Sequence, residues 1–186
     1  MSSLEYERLH HNLRLLDLIT LDSILDNYLE IAAKDGKSTI EILDYLVAQE
    51  VENKESRSCA LRMRLAGFPV EKRLEDFDFK FQPALDKATI KDLASMRFIH
   101  NHENIVFLGP PGVGKTHLAI ALGIESIKSG FRVNFVNASN LVEKLSKAEK
   151  EKRLEEMIRK LSRFQVLIID EIGYMPFDEM GAHCIF

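Results

Sequence analysis

One eight-residue string constrains this chain more than any other: Gly109-Pro110-Pro111-Gly112-Val113-Gly114-Lys115-Thr116, a full match to the phosphate-loop pattern G-x-x-x-x-G-K-[ST]. The pattern dictates what must surround it. Ile105-Val106-Phe107-Leu108 just before it reads as a short buried strand, and His117-Leu118-Ala119-Ile120-Ala121-Leu122 just after it continues as a helix toward Gly130. Strand, glycine-rich turn and helix in that order turn a string match into a mechanism. The glycines let successive backbone N–H groups converge on phosphate without a Cβ in the way. The helix N-terminus adds roughly half a positive charge at the same place. Lys115 is expected to serve the β- and γ-phosphates, and the Thr116 hydroxyl to hold Mg²⁺. The string implies nucleotide binding.

A second string narrows the chemistry. Val166-Leu167-Ile168-Ile169 is a continuous apolar, β-branched run, as expected of a strand covered on both faces of a parallel sheet, and it ends in Asp170-Glu171. A carboxylate at that strand end can orient Mg²⁺ through its water shell, and the next acid can polarise an attacking water. This pairing suits hydrolysis by water better than transfer to a second substrate. The competing role for Asp170 is a cap on the turn that follows.

Composition excludes several classes. The chain has 186 residues, 46% of them hydrophobic, enough for a real core in one or two small domains. Its net charge of −4 means that any contact with nucleic acid must come from a local patch. No apolar stretch is long enough to span a bilayer, and Met-Ser-Ser-Leu-Glu-Tyr-Glu-Arg is no signal peptide, so the default expectation is the cytoplasm. Cys59 and Cys184 lie too far apart for a zinc or disulfide framework, and none of the histidines shows a metal spacing.

The spacing divides the chain into a helical N-terminal domain over 1–70, a linker with a lead-in helix over 71–104, and a phosphate-loop core over 105–186. Ile24, Leu25, Tyr28, Leu29 and Ala32 recur at helical spacing and Gly36 follows as a stop. Ser38-Thr39-Ile40-Glu41 has the form of a capping box, so a long helix should run from there to Ala66, ended by Gly67-Phe68-Pro69. Leu74 to Pro83 reads as irregular, and Thr89 opens a short helix. Phe131, Val133 and Phe135 alternate with Arg132 and Asn134, which predicts a second strand. Asn137 or Ser139 can cap the next helix, expected to run to about Arg163 with a solvated, mixed-charge middle. The fold class is therefore α/β with a parallel sheet, preceded by an all-α part.

Three strings taken together carry a family likeness: Leu74-Glu75-Asp76-Phe77-Asp78-Phe79, the phosphate loop with its continuation through Gly123, and Leu167-Ile168-Ile169-Asp170-Glu171-Ile172-Gly173-Tyr174. The chain resembles the IstB-type transposition helper ATPases, relatives of the DnaC-type helicase loaders in the AAA+ superfamily. The resemblance implies a three-layer α/β/α P-loop fold that uses ATP and Mg²⁺. It also implies partners: non-specific duplex DNA, a transposase, and further copies of the chain. By position, Gly109, Pro110, Pro111, Gly112, Val113, Gly114, Lys115, Thr116 and His117 bind ATP. Thr116 and Asp170 serve Mg²⁺, and Lys115 and Glu171 are catalytic. Phe77-Asp78-Phe79 lies near the base or fills a groove.

The chain departs from that family in stopping at Phe186. Family members continue into two more strands, with a polar sensor residue, an arginine that reaches a neighbour's phosphate, and a closing helical part. The terminal Gly-Ala-His-Cys-Ile-Phe also diverges. In the family's strand order 5-1-4-3-2, the fourth strand separates the phosphate-loop strand from the Asp170 strand. Without it, Ile168 and its neighbours are expected to leave unpaired backbone and apolar surface. Loss of an arginine finger alone costs about 10³ to 10⁵ in turnover, so poor hydrolysis by this chain is expected. Arg57, Arg62, Arg64, Lys72 and Arg73 gather near the end of the long helix as a candidate for phosphate contacts with DNA, or else as an ordinary solvated basic face. A helicase loader acting on single strands, and a non-catalytic nucleotide-binding remnant, are the alternative readings.

Overall fold

Helix formation at the N-terminus follows from apolar spacing punctuated by local stop and start signals. In the computed structural model, which describes residues 3–83 and 85–172, α1 (Ser3–Leu15), α2 (Ile19–Lys34) and α3 (Thr39–Ala66) come first. Gly36 ends α2 with a φ of +66°, and the Lys37 N–H donates back to the Ala32 carbonyl at 3.0 Å, a Schellman-type closure. The capping box forms as its spacing predicts. The Ser38 N–H donates to the Glu41 carboxylate at 2.8 Å, and the Glu41 N–H donates to Ser38 Oγ at 3.3 Å. The Ser38 hydroxyl, which donates to the same carboxylate at 2.7 Å, and then the Ser38 N–H hold the Glu41 carboxyl below its ordinary range.

Two compact units result, Met1–Ser58 and Cys59–Phe186, with the division inside α3. In the first, Leu13, Leu25 and Leu46 form the core, flanked by Leu18, Ile24 and Ile42. Glu50 is buried there with partners that offset its desolvation: the Leu21 N–H at 2.8 Å and the Arg57 guanidinium at 3.3 Å.

The second unit contains α4 (Lys87–Leu93), α5 (Arg97–His100), α6 (Lys115–Lys128), β1 (Val133–Asn137), α7 (Ala138–Lys150), α8 (Leu154–Leu161) and β2 (Val166–Asp170). Residues 74–83 carry no helix or strand, in line with the irregular linker expected there. The cap of α4 is Asp86, not Thr89. Its carboxylate accepts from the N–H groups of Ala88 and Thr89 at 3.0 and 3.2 Å, since an aspartate three residues ahead of the threonine competes better for those donors. The helix expected to reach Arg163 is broken in two, because Lys152 sits in the left-handed region at φ +56°.

β1 and β2 pair in parallel, Val133 opposite Val166 through Asn137 opposite Asp170. Alternation along each strand sends side chains to both faces. Val133, Val166 and Ile168 pack with Ile127 of α6 and with Ala66. Val136 and Ile169 pack with Leu141 and Leu145 of α7 and Leu154, Met157 and Leu161 of α8. Helices thus cover both faces of a short sheet. α6 is buried along most of its surface, including Leu118, Ile120, Ile124 and Ile127. Gly123 lets it approach the sheet. A Cβ there would stand 2.7 Å from Ile168 Cδ1 and 2.9 Å from Phe68 Cζ. Gly123→Val is expected to destabilise the chain by about 1–3 kcal/mol through overpacking. A denaturant midpoint equal to wild type would mean that α6 and β2 have room to spare.

Two strand expectations need correction. Residues 105–108 form no strand: pairing requires a neighbour, and none is present among the described residues. Their side chains still alternate: Ile105 and Phe107 are half-buried, while Val106 and Leu108 are 74% and 88% exposed. Among the described residues β2 pairs on the β1 side alone, and Leu167 is 37% exposed, so the strand is not covered on both faces throughout. Ile168 itself packs with Ala66 and Ile127, while Leu167, Val106 and Leu108 are exposed. Gly173, Tyr174, Cys184 and the terminal Gly-Ala-His-Cys-Ile-Phe lie outside the described residues. Among the described residues no helix is long and apolar enough to cross a membrane.

Candidate functional site

The second unit brings the two sequence strings together. β2 delivers Asp170 at its C-terminal end, and α6 starts at Lys115 directly after the glycine-rich turn. Thr116 Oγ lies 3.1 Å from each carboxylate oxygen of Asp170, although 54 residues separate them. A hydroxyl and a carboxylate so placed offer the hard oxygen donors that Mg²⁺ prefers. Among the described residues no group of three His, Cys, Asp or Glu side chains could hold a metal on its own.

The turn itself is built for close backbone approach. Gly109, Gly112 and Gly114 have φ values of +154°, +82° and +90°, where a side chain is disfavoured. No side chain caps α6, whose N-cap is Gly114, so its first N–H groups face the turn. The Lys115 ammonium arches back and donates to the carbonyls of Gly109 and Pro110 at 2.9 and 2.8 Å. It therefore sits over the concavity that an anion would enter. Gly109 through Gly112 are exposed, whereas Val113, Gly114, Lys115, Thr116 and His117 are half-buried.

Glu171 follows Asp170 with φ +62°, a left-handed turn that redirects its side chain at the strand end. The Asn137 amide donates to the Glu171 carboxylate. The Asn137 carbonyl oxygen meanwhile accepts from the Ser139 N–H at 2.9 Å, capping α7. Sequence reading found the cap but not the second bond. The signal lies in the register: Asn137 ends β1 directly opposite Asp170, which puts its amide beside the next residue.

Linker residues also reach the loop. His117 Nε2 is 2.8 Å from the Arg73 carbonyl, which can only accept, so this nitrogen carries the proton. Phe77 is buried at 8% exposure, packed with Ile90 and Leu118. Its ring lies edge-on to His117 with centroids 5.2 Å apart.

The basic residues do not form one free stripe. Arg57 is bonded to Glu50, and Arg73 pairs with Glu71 at 2.8 Å and Glu75 at 3.6 Å. Arg62 and Arg64 follow on α3, with Arg62 half-buried and Arg64 exposed; Lys72 is exposed in the linker. At about 100° per residue, Arg62 falls well round the helix from Arg57 and Arg64.

A glycine-rich turn at a helix start, a lysine over it, and a threonine meeting a strand-end aspartate define a phosphate-loop α/β protein. The family model described as IstB-like ATP binding protein matches residues 11–186, and the chain belongs to that family. Among its relatives is an ATP-binding protein named for insertion sequence IS21 of Pseudomonas aeruginosa, 43% identical over 87% of this chain and 61% of that protein. Counterparts named for IS5376 of Geobacillus stearothermophilus and IS232 of Bacillus thuringiensis subsp. berliner are 39% and 37% identical, each over 97% of this chain and 72% of its own length. The chain thus spans 61% of the first relative's length.

Proposed function

We propose that this chain is the ATP-binding part of a transposition helper: it binds Mg²⁺-ATP at the phosphate loop, associates with DNA and further copies of itself, and acts on a transposase. The observation that carries the nucleotide reading is the meeting of Thr116 with both oxygens of Asp170. The names of these three relatives, each drawn from an insertion sequence, support transposition over helicase loading.

In this reading Lys115 leaves its two carbonyls for the β- and γ-phosphates, and the backbone of Gly109 to Gly114 encloses them. Thr116 and Asp170 hold the Mg²⁺. The chemistry the ion supplies when bound is neutralisation of charge on the phosphate oxygens. Glu171 takes a proton from the attacking water, and Asn137 fixes the carboxylate orientation until water and phosphate are aligned. The partly exposed β2 and the alternating exposure over 105–108 are consistent with an incomplete AAA+ sheet order. Arg64 and Lys72, both exposed, contribute phosphate contacts to duplex DNA regardless of base sequence.

The test is nucleotide binding with and without Mg²⁺. Wild-type affinity for ATP is expected to rise on adding Mg²⁺, and Asp170→Asn to remove that increment. An Asp170→Asn chain that still gains affinity from Mg²⁺ would contradict the metal assignment. For the DNA contact, Arg64→Glu with Lys72→Glu should lower duplex affinity and reduce the slope of log K against log salt by roughly two. An unchanged slope removes these two residues from the account.

A further inference from the structure

The linker over 71–79 and the phosphate loop form one mechanical unit. Gly114 lies at φ +90°, and a Cβ built on it would stand 2.6 Å from Phe77 Cε2 and 3.3 Å from Cζ. The edge of the Phe77 ring therefore occupies the space beside the last glycine of the loop. Gly114 in turn supplies the carbonyl that accepts the first helical bond of α6, from the Leu118 N–H at 3.0 Å. One turn further on, the His117 ring donates to the Arg73 carbonyl at 2.8 Å. Phe77 is held from behind by Phe79, centroids 5.0 Å apart, and by the cluster of Ile90, Leu118, Leu74 and Phe107. By contrast, Gly109 to Gly112 are exposed, and a Cβ on Gly112 would meet nothing within 4 Å. The loop is thus seated from its C-terminal side, by the linker.

The geometry points to Phe77 and His117 as positioning residues that brace the phosphate loop, so that seating of residues 71–79 and capture of a triphosphate favour one another. The inference rests on the nucleotide reading of the site and adds to it. Neither side chain needs to touch the base. Each acts through the backbone at Gly114 and the start of α6, where the phosphate-facing N–H groups stand. By linkage, whatever loosens the brace weakens the ligand, and the ligand tightens the brace by the same factor.

Base contact and bracing are separated by the choice of ligand. The full chain is titrated calorimetrically with Mg²⁺-ATPγS and with Mg²⁺-tripolyphosphate, which has no base. Phe77→Ala and His117→Leu are each expected to weaken both ligands in parallel, within the roughly 5- to 150-fold range of such couplings. His117→Gln, which keeps an N–H donor, is expected to recover most of the loss. Hydrogen exchange over 71–79 should slow when tripolyphosphate binds wild type and respond less in His117→Leu. A residue that only filled the core would not give this ligand-dependent readout. His117→Leu, at a half-buried position, keeps the test open should Phe77→Ala fail to fold. Loss of ATPγS affinity with tripolyphosphate affinity intact would make Phe77 a base contact and overturn the brace. Unchanged affinity for both ligands in both variants would overturn it too. Failure of the wild type to bind either ligand would overturn the nucleotide reading itself, and the brace with it.

Discussion

Lys115→Ala is expected to weaken Mg²⁺-ATP binding by roughly 10- to 150-fold, the equivalent of one charged hydrogen-bonding group lost from a phosphate site. The range reflects a competition visible in the structure. In the free loop the ammonium already makes two bonds, to the carbonyls of Gly109 and Pro110, and must exchange them for phosphate oxygens. The gain on binding is the difference between those partners, and an anionic oxygen is the stronger acceptor. Lys115→Arg does not rescue, because a planar fork cannot follow the compact arc that a single ammonium traces over the loop. Equilibrium titration with a non-hydrolysable ATP analogue measures both variants. Equal affinity for wild type and Lys115→Ala would mean that phosphate does not enter where the lysine stands.

Local chemistry was legible in the sequence; of the non-local pairing, the meeting of Thr116 with Asp170 followed from the family likeness, and the rest was not legible. The phosphate loop, the capping box at Ser38 and Glu41, the stop at Gly36 and the Asp170 strand end all rest on residue types at fixed short spacings, and each adopts the expected local geometry. Ile105–Leu108 has the alternation of a strand but becomes one only beside a partner, which four residues cannot announce. The break at Lys152 carries neither glycine nor proline, so nothing in Lys150-Glu151-Lys152-Arg153 marks it; the Lys152 backbone adopts the left-handed region there all the same. Asn137 was readable as a cap because capping is local. Its bond to Glu171 depends on the β1–β2 register, which only the folded sheet provides. Phe77 illustrates the same limit. An aromatic in an irregular linker signals burial, yet only the three-dimensional arrangement shows that the ring rests on Gly114.

Gly114→Ala carries the second large expected effect, a loss of about 2–6 kcal/mol in stability, and its size depends on two separable causes. The first is backbone strain: an L-residue held at φ +90° costs about 1–3 kcal/mol. The second is the collision of the new methyl with the buried Phe77 ring, an overpacking of similar size. Gly112 provides the internal control, since it sits at a comparable φ of +82° with open space where its Cβ would point. Gly112→Ala should therefore cost only the first contribution. The excess of Gly114→Ala over Gly112→Ala, about 1–3 kcal/mol, should vanish in a Phe77→Ala background, because neighbours that share a contact are not additive. Denaturant unfolding of the four variants closes the cycle. If the excess survives removal of the Phe77 ring, the penalty is backbone strain alone, and the linker does not seat the loop through that side chain.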